Sequence, residues 1–166
     1  MIGQKHKVAL IGLAAAIALG AGVAGAAVQA ADDGKNVIAY RHNVMKGLAS
    51  HITQIAMVAK GEVSFASHVA ANARAMADAA KIIPELFPKG TVEGDAGVEG
   101  VENEAKAEIW KEWDKFTAAA TTLEVQATKL AEVAGGGDVA AIGAQLGEVG
   151  KACGGCHEPF RKKKPE

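Results

Sequence analysis

From residue 33 onwards the apolar residues recur every three or four positions, which is typical of amphipathic helices. This pattern forms four long stretches with no strand-like alternation between them. It predicts a first helix from about Asp33 to Lys60, ended by Gly61 in a left-handed cap. A second helix is predicted to begin near Ser64 as its N-cap and to end no later than Phe87. The residues expected to face inward along these two helices are Val37, Val44, Leu48, Ile52, Ile55, Ala59, Phe65, Val69, Ala73, Met76, Ala80 and Ile83.

The second half of the chain repeats this organisation after one long loop, predicted over residues 89–103. The third helix has a heptad seam and ends at the glycines 135–137. Asp138 is expected to cap the fourth helix, which continues to Phe160. The inward positions of these two helices are Ile109, Trp113, Phe116, Ala120, Leu123, Ala127, Leu130, Val139, Ile142, Leu146, Val149, Cys153, Cys156 and Phe160.

Four amphipathic helices joined by mostly short loops predict an all-α fold, an antiparallel four-helix bundle. A two-plus-two arrangement that assembles only in a dimer is the alternative. The composition agrees with helices, since hydrophobic residues make up 49% of the chain but aromatic residues only 4%. Strands favour β-branched and aromatic residues, whereas alanine and glycine supply much of the apolar count here.

Residues 1–30 have the layout of a secretory signal peptide, with Lys5 and Lys7 before an uncharged apolar run and small residues ending at Ala30. A transmembrane anchor is the alternative, because the run is about long enough to span a bilayer. The signal peptide predicts a periplasmic protein, residues 31–166, with no membrane association after cleavage. The remainder would carry a formal charge of −3, which gives no reason to expect a nucleic acid partner.

The most specific motif is Cys153-Gly154-Gly155-Cys156-His157, a C-x-x-C-H sequence. This is the attachment signature of c-type haem, in which two thiols bind the porphyrin edge and the imidazole binds iron. On a helix the three side chains share one face, and they fall on the inward seam of the fourth helix. A zinc site would need further Cys or His ligands at close spacing, and a thioredoxin-like motif would need an α/β pattern. We therefore expect one covalent haem c per chain.

With this motif near its C-terminus, the chain resembles the cytochrome c′ family, the class II c-type cytochromes, which also include cytochrome c-556 relatives. The resemblance rests on residues 150–161 (GKACGGCHEPFR), on Tyr40-Arg41, on residues 86–88 (LFP) and on residues 108–110 (EIW). It covers the whole of residues 31–166 and implies a haem-binding helical bundle.

The resemblance also implies roles for particular residues. His157 matches the proximal iron ligand, and Arg161 matches the basic residue beside that ligand. Arg41 matches an arginine near the haem propionates, and Met45 matches the residue over the distal face of the iron. Phe160 matches an aromatic position of the motif, where core packing is an equal explanation.

Two of these positions leave questions open. The family often has Gln after the arginine, whereas this chain has His42, a titratable group that would lie near the haem. Met45 would give a six-coordinate, low-spin iron as a ligand, or an open iron site as a packing residue. His51 and His68 are expected to be solvated or half-buried rather than iron ligands.

Three functions follow as hypotheses. The protein would carry electrons, exchanging them with redox partner proteins, or its iron would bind NO or CO. An enzymatic function is not expected, because no acid–base pair for peroxide cleavage is recognisable near Met45. The family resemblance implies a homodimer, and the basic run of residues 161–164 is either a solvated helix end or a docking patch.

Between Val149 and Phe160 the last helix lacks large hydrophobic residues, which predicts a void unless haem fills it.

Overall fold

The computed structural model describes residues 33–92 and 102–163, and within these ranges the regular secondary structure is helical. One isolated antiparallel bridge pairs Ala105 with Arg161. The elements in chain order are α1 (Gly34–Ala59), α2 (Ala66–Lys81), a 3-10 turn (Ile83–Leu86), α3 (Glu108–Lys111), α4 (Trp113–Ala134) and α5 (Val139–Phe160).

The four long helices form a ring in which each packs against two neighbours. α2 lies between α1 and α4, and α5 lies between α4 and α1. The predicted four-helix bundle is therefore confirmed. The predicted signal peptide, residues 1–30, lies outside the described residues. Among the helices of the described ranges, none is long and apolar enough to cross a membrane.

Most predicted helix ends are correct because local chemistry determines them. The carboxylate of Asp33 accepts from Lys35 N, and that of Asp138 accepts from Ala140 N and Ala141 N. Gly61 follows α1 with φ of 70°, a left-handed conformation that suits glycine.

The start of the second helix was predicted wrongly. Ser64 is not the N-cap: α2 begins at Ala66, the cap position is Phe65, and no side chain caps the helix. The backbone carbonyl of Phe65 accepts the first hydrogen bond, from His68 N at 2.9 Å. Phe65 lies before the first residue of α2, and its side chain is 54% exposed rather than facing inward. Val139, also predicted to face inward, is the first residue of α5 and is 39% exposed.

Two helices are also shorter than the apolar pattern suggested. The α-helical hydrogen bonding of α2 ends at Lys81, because Pro84 has no N–H to donate to the preceding turn, and a 3-10 turn follows. The third predicted helix is broken at Glu112, whose φ of −126° and ψ of 46° separate α3 from α4. The indole rings of Trp110 and Trp113 stack across this break with their centroids 4.3 Å apart.

The core is densest between α2 and α4, and the predicted inward residues of these helices are buried there except Trp113, which is half-buried. Phe116 contacts both Phe87 and Phe160 edge-on, with ring centroids 4.8 Å and 5.4 Å apart. On α1 the fully buried residue near the N-terminus is Ile38 rather than the predicted Val37, which is half-buried. The largest side chains with less than 2% exposure are Phe116, Ile38, Ile55, Met76, Ile109, Leu130, Ile142, Val69 and Val149.

Candidate haem-binding site

A cavity of about 580 Å³ lies between α1, α4 and the C-terminal half of α5. Its volume falls in the range of about 300–1,000 Å³ that is usual for ligand and cofactor pockets. The cavity occupies the place where the sequence predicted a void, since α5 offers no large apolar side chain between Val149 and Phe160. Apolar side chains form most of its wall: Leu48, Ile52, Ile83, Phe87, Ile109, Phe116, Leu123 and Phe160.

The α5 wall brings the three residues of the motif to the same cavity. Cys153, Cys156 and His157 all line it, as their helical spacing predicted. Both cysteines are half-buried free thiols. Burial raises the pKa of Cys153, and burial together with the neighbouring Cys153 raises the pKa of Cys156 to about 11. Both thiols are therefore protonated at neutral pH and face an apolar interior.

His157 presents a neutral imidazole, the form that binds metal ions. Burial lowers the pKa of His157, the positive charge of Arg161 lowers this pKa further, and the negative charge of Glu104 raises it. Within the described ranges no group of three or more His, Cys, Asp or Glu residues could hold a metal ion. The residues described thus do not provide the closed ligand set that structural zinc requires.

The α1 wall carries the two positions that the sequence left open. Met45 and His42 both line the cavity and are half-buried. Leu48 and Ile52 continue this wall one and two turns further along α1. The thioether of Met45 is thus available to the cavity, either as a ligand or as a packing group.

Of the histidines in the described residues, the other two, His51 and His68, lie elsewhere, as expected. The Nδ1 atom of His51 is 2.7 Å from the Oδ1 atom of Asn72, and this contact joins α1 to α2. The ring of His68 is exposed to solvent and stacks on Phe65 with centroids 5.1 Å apart. Neither lines the cavity.

Arg41 is a buried charge in the cavity wall, with only 3% of its surface exposed. Its Nη1 atom donates to Leu86 O at 3.2 Å and to Thr91 Oγ1 at 3.4 Å. Its Nη2 atom donates to Thr91 O at 2.9 Å and to Asn103 Oδ1 at 3.0 Å. The guanidinium also stacks on Phe87, with Cζ 4.3 Å from the ring centroid.

These partners of Arg41 are all neutral. Burial lowers the pKa of Arg41 to about 10, so the guanidinium remains charged at neutral pH. A buried cation is costly unless it is hydrogen-bonded or paired with an anion. The wall therefore presents a positive charge to which a carboxylate in the cavity could bind.

Residues 102–106, which we call the strap, cross the end of α5. Lys106 N donates to Phe160 O at 3.0 Å, and Lys162 N donates to Glu104 O at 2.8 Å. Arg161 is extended after the last turn of α5 and lines the cavity, as does Glu104. Phe160 is buried and packs on Phe116, so it contributes to both the core and the cavity wall.

Thr91, Asn103 and Glu104 were not predicted as site residues. Their positions flank a stretch without periodicity, where the sequence offers no signal of tertiary contact. Only the residues LFP at 86–88 pointed to this region, through the family resemblance.

The donors fit a haem. A largely apolar cavity has two thiols and an imidazole on one helix, and a charged guanidinium on another. Haem c needs an iron ligand, two attachment points and a partner for a propionate. The class defined by this fold and site is a helical-bundle haem protein with its binding motif in the last helix.

Comparison with known proteins gives the family. The family model for Cytochrome C′ matches residues 36–161. The cytochrome c′ of Rhodospirillum rubrum is 35% identical over 133 residues, which cover 80% of this chain and 86% of that protein. The cytochrome c′ of Pararhodospirillum photometricum is 34% identical over 125 residues, which cover 75% and 95% respectively. The chain belongs to the cytochrome c′ family, whose members bind haem c.

Solved structures agree. A cytochrome c′ with an unusual ligand-controlled dimer dissociation superposes with a TM-score of 0.72 at 29% identity, covering 81% of this chain and all of that one. A nitric oxide complex of a cytochrome c prime variant from Alcaligenes xylosoxidans superposes with a TM-score of 0.67 at 26% identity. That match covers 79% of this chain and 98% of the other.

Proposed function

We propose that this protein is a periplasmic c-type cytochrome that carries electrons on one covalently bound haem. The observation that carries this proposal is the alignment of Cys153, Cys156 and His157 along one wall of an internal cavity. Thioether bonds from the two cysteines would anchor the haem edge, and His157 would bind the iron. The haem, when bound, supplies an iron that changes oxidation state, while the bundle excludes water from most of its surface.

Arg41 would orient the cofactor through a propionate. Its guanidinium is buried in the cavity wall, and the hydrogen-bond partners it has among the described residues are all neutral. A propionate carboxylate would give it an anionic partner, in a charge-assisted hydrogen bond. Because Arg41 is also held by the turn after α2 and by the strap, its position is set before haem binds.

Binding of NO or CO is the second candidate function. Towards the C-terminal side of Met45 the α1 wall carries the aliphatic side chains of Leu48, Ala49 and Ile52. Such a wall admits a small apolar gas but offers it few hydrogen bonds. The nitric oxide complex of the Alcaligenes xylosoxidans relative favours the same candidate. The choice between the two functions depends on Met45, which either binds the iron or leaves it open.

We propose no enzymatic activity. Arg41, the cation one position before His42, is engaged by Leu86, Thr91 and Asn103, so its guanidinium is not free to assist His42 in acid–base catalysis of peroxide cleavage.

Partners are proposed on surface chemistry and on the relatives. The exposed basic residues Arg161, Lys162 and Lys163 follow the haem-binding helix and would suit an acidic redox protein. A homodimer is proposed because a relative shows ligand-controlled dimer dissociation.

The first test is the optical spectrum of the purified protein, oxidised and reduced, with and without CO and NO. Haem that stays with the chain after acid–acetone extraction is expected, and its loss in the Cys153→Ala/Cys156→Ala variant. A free thiol titre of two in the haem-loaded protein would contradict covalent attachment. Intact mass and cell fractionation test export: a chain starting at Ala31 in the periplasm is expected, and retention of residues 1–30 in the membrane would contradict it.

Met45→Ala then separates the two functions. If Met45 binds the iron, the variant changes a low-spin spectrum to high-spin and gains CO binding. If Met45 only packs, the wild type is already high-spin and the variant takes up CO faster. Met57→Ala is the control, since Met57 lies on the same helix but does not line the cavity. Identical spectra and CO kinetics in both variants would remove Met45 from the site and make His42 the next candidate.

A further inference from the structure

Asn103 joins the strap to two other parts of the chain through its side-chain amide. Its Oδ1 atom accepts from Arg41 Nη2 at 3.0 Å and from Ala105 N at 3.1 Å, and its Nδ2 atom donates to Thr91 O at 3.2 Å. The reversed amide would point its NH2 group at two donors and its oxygen at a carbonyl, so these bonds fix its orientation. Asn103 does not line the cavity, so its influence there passes through its partners, of which Arg41 is the charged one.

The guanidinium of Arg41 keeps one N–H group for a ligand in the cavity. An arginine has five N–H donors, of which the Nε–H is one. The two Nη atoms donate to Leu86 O, to Thr91 Oγ1 and O, and to Asn103 Oδ1, whereas within the described ranges the Nε–H has no partner. In these ranges the one fully buried side-chain N or O atom without a partner is Nε1 of Trp110, so Arg41 Nε keeps accessible surface. Because Arg41 lines the cavity, a ligand there could accept from this N–H.

The charge of this guanidinium is also left for a ligand. Asn103 stands between Glu102 and Glu104 in sequence, yet Arg41 hydrogen-bonds to the neutral amide and to no carboxylate among the described residues. A carboxylate at the same 3.0 Å would form a charge-assisted hydrogen bond and offset much of the positive charge. The amide therefore holds the arginine in place without pairing its charge, and a buried charge is costly until it is paired.

We propose that Asn103 is a positioning residue for the cofactor: it fixes Arg41 with a neutral acceptor, so that the Nε–H and the charge of the guanidinium are directed to one haem propionate. The propionate is then held by Nε rather than by the two Nη atoms, and it is the anionic partner that the surrounding residues do not supply. A carboxylate at position 103 would compete with the propionate for the same guanidinium. This inference rests on the proposed function, in which the cavity holds a haem.

Asn103→Asp in the haem-loaded protein tests this competition. The aspartate keeps an oxygen for Arg41 Nη2 and Ala105 N but adds a negative charge. We expect the propionate bending band in the resonance Raman spectrum to move to lower wavenumber, because the propionate has a weaker donor. Asn72→Asp is the matched control: Asn72 also joins two parts of the chain, with Oδ1 2.7 Å from His51 Nδ1, and does not line the cavity. Its band should equal that of the wild type.

Two further variants separate the charge from the geometry. Asn103→Ser loses the bond to Thr91 O but adds no charge, so its band should stay nearer to that of the wild type than the band of Asn103→Asp does. Arg41→Lys keeps the positive charge but has no Nε–H. Its band should move to lower wavenumber, and this result is decisive even where Asn103→Asp does not take up haem.

Equal shifts in Asn103→Asp and Asn103→Ser would overturn the inference, since geometry alone would then explain the effect. A band of Asn103→Asp or of Arg41→Lys at the position of the Asn72→Asp band would overturn it as well. A wild-type protein that keeps no haem after acid–acetone extraction would instead overturn the proposed function, so the two failures are distinguishable.

Discussion

The two sides of the bundle are built differently. Between α2 and α4 the helices meet through small and medium apolar side chains, and Ala73, Met76, Ala127 and Leu130 are all completely buried. Between α1 and the C-terminal half of α5 lies the cavity. The first interface is complete from the chain alone, whereas the second needs a cofactor to fill it. The bundle thus has one half that supports the fold and another that accommodates the haem.

The helices themselves differ in the same way. α4 contains no glycine, whereas α5 contains five: Gly143, Gly147, Gly150, Gly154 and Gly155. Glycine in a helix interior is less favourable than alanine by roughly 0.8–1 kcal/mol per residue. α5 is therefore intrinsically weaker than α4 and depends more on what it packs against. Four predictions test this contrast.

Removal of the haem should have the largest effect. At about 24 cal/mol per Å³, a cavity of about 580 Å³ left empty corresponds to on the order of 10 kcal/mol. That is comparable with the whole stability of a domain, about 5–15 kcal/mol. We expect the Cys153→Ala/Cys156→Ala protein to lack a sharp thermal transition, and its amide exchange to be fast in α1 and α5 but slower in α2 and α4.

The unmutated chain produced without haem is the control for this experiment, and it should behave in the same way. A cooperative melt of either apoprotein near the temperature of the haem-loaded protein would contradict the prediction. Equal loss of amide protection in all four helices would contradict the difference between the two halves.

Substitutions of two methionines, one on each side of the bundle, allow the two halves to be compared directly. Met76 is completely buried in the core, whereas Met45 is half-buried on the cavity wall. Met76→Ala should lower the free energy of unfolding of the haem-loaded protein by roughly 2–5 kcal/mol. Met45→Ala should lower it by less, because the half-buried Met45 side chain buries less apolar surface than the completely buried Met76 side chain. Urea denaturation measures both, and equal costs would contradict the contrast.

Arg41 provides the main polar connection on the cavity side. Arg41→Met should cost about 2–3 kcal/mol in the free energy of unfolding, since the carbonyls of Leu86 and Thr91 lose a charged donor. Arg74→Met is the control, because Arg74 is exposed on α2 and a surface change usually costs less than about 0.5 kcal/mol. Urea denaturation checks the prediction; a cost for Arg41→Met as small as that of the control would show that the loop ends are held by other contacts.

The smallest effect should be a gain in stability. Gly147 is exposed in the interior of α5, and nothing lies within 4 Å of the place a Cβ would occupy. Gly147→Ala should therefore raise the free energy of unfolding by about 0.5–1 kcal/mol. Gly137→Ala should lower it, because Gly137 has φ of 71°. Thermal melts of both variants test the prediction; a loss of stability in Gly147→Ala would indicate that this face of α5 is covered.

Much of the fold could be predicted because its signals are local. Helix positions follow from the spacing of apolar residues, and the caps at Asp33 and Asp138 follow from side chains that bond to neighbouring N–H groups. The start of α2 was misplaced at Ser64 because the apolar spacing is also compatible with a start at Ala66. The break at Glu112 was missed because the apolar spacing continues across it without interruption.

The candidate site divides in the same way. Cys153, Cys156 and His157 could be identified from sequence because one helix turn brings them to one face. The four apolar seams in the sequence also determined the class of fold. The lack of large apolar residues between Val149 and Phe160 predicted the cavity beside α5. All of these depend on residues that are close together in the chain.

Only the tertiary structure decided how distant segments meet at the haem cavity. Arg41 binds Asn103 across 62 positions of sequence, and Glu104 is placed beside the end of α5 by hydrogen bonds to residues more than 50 positions away. Contacts at this separation leave no periodic trace, because they depend on how packed helices orient their loops rather than on the conformation of neighbouring residues. The place of Glu104 in the cavity wall was therefore invisible in the sequence, although His157 and Arg161 were not.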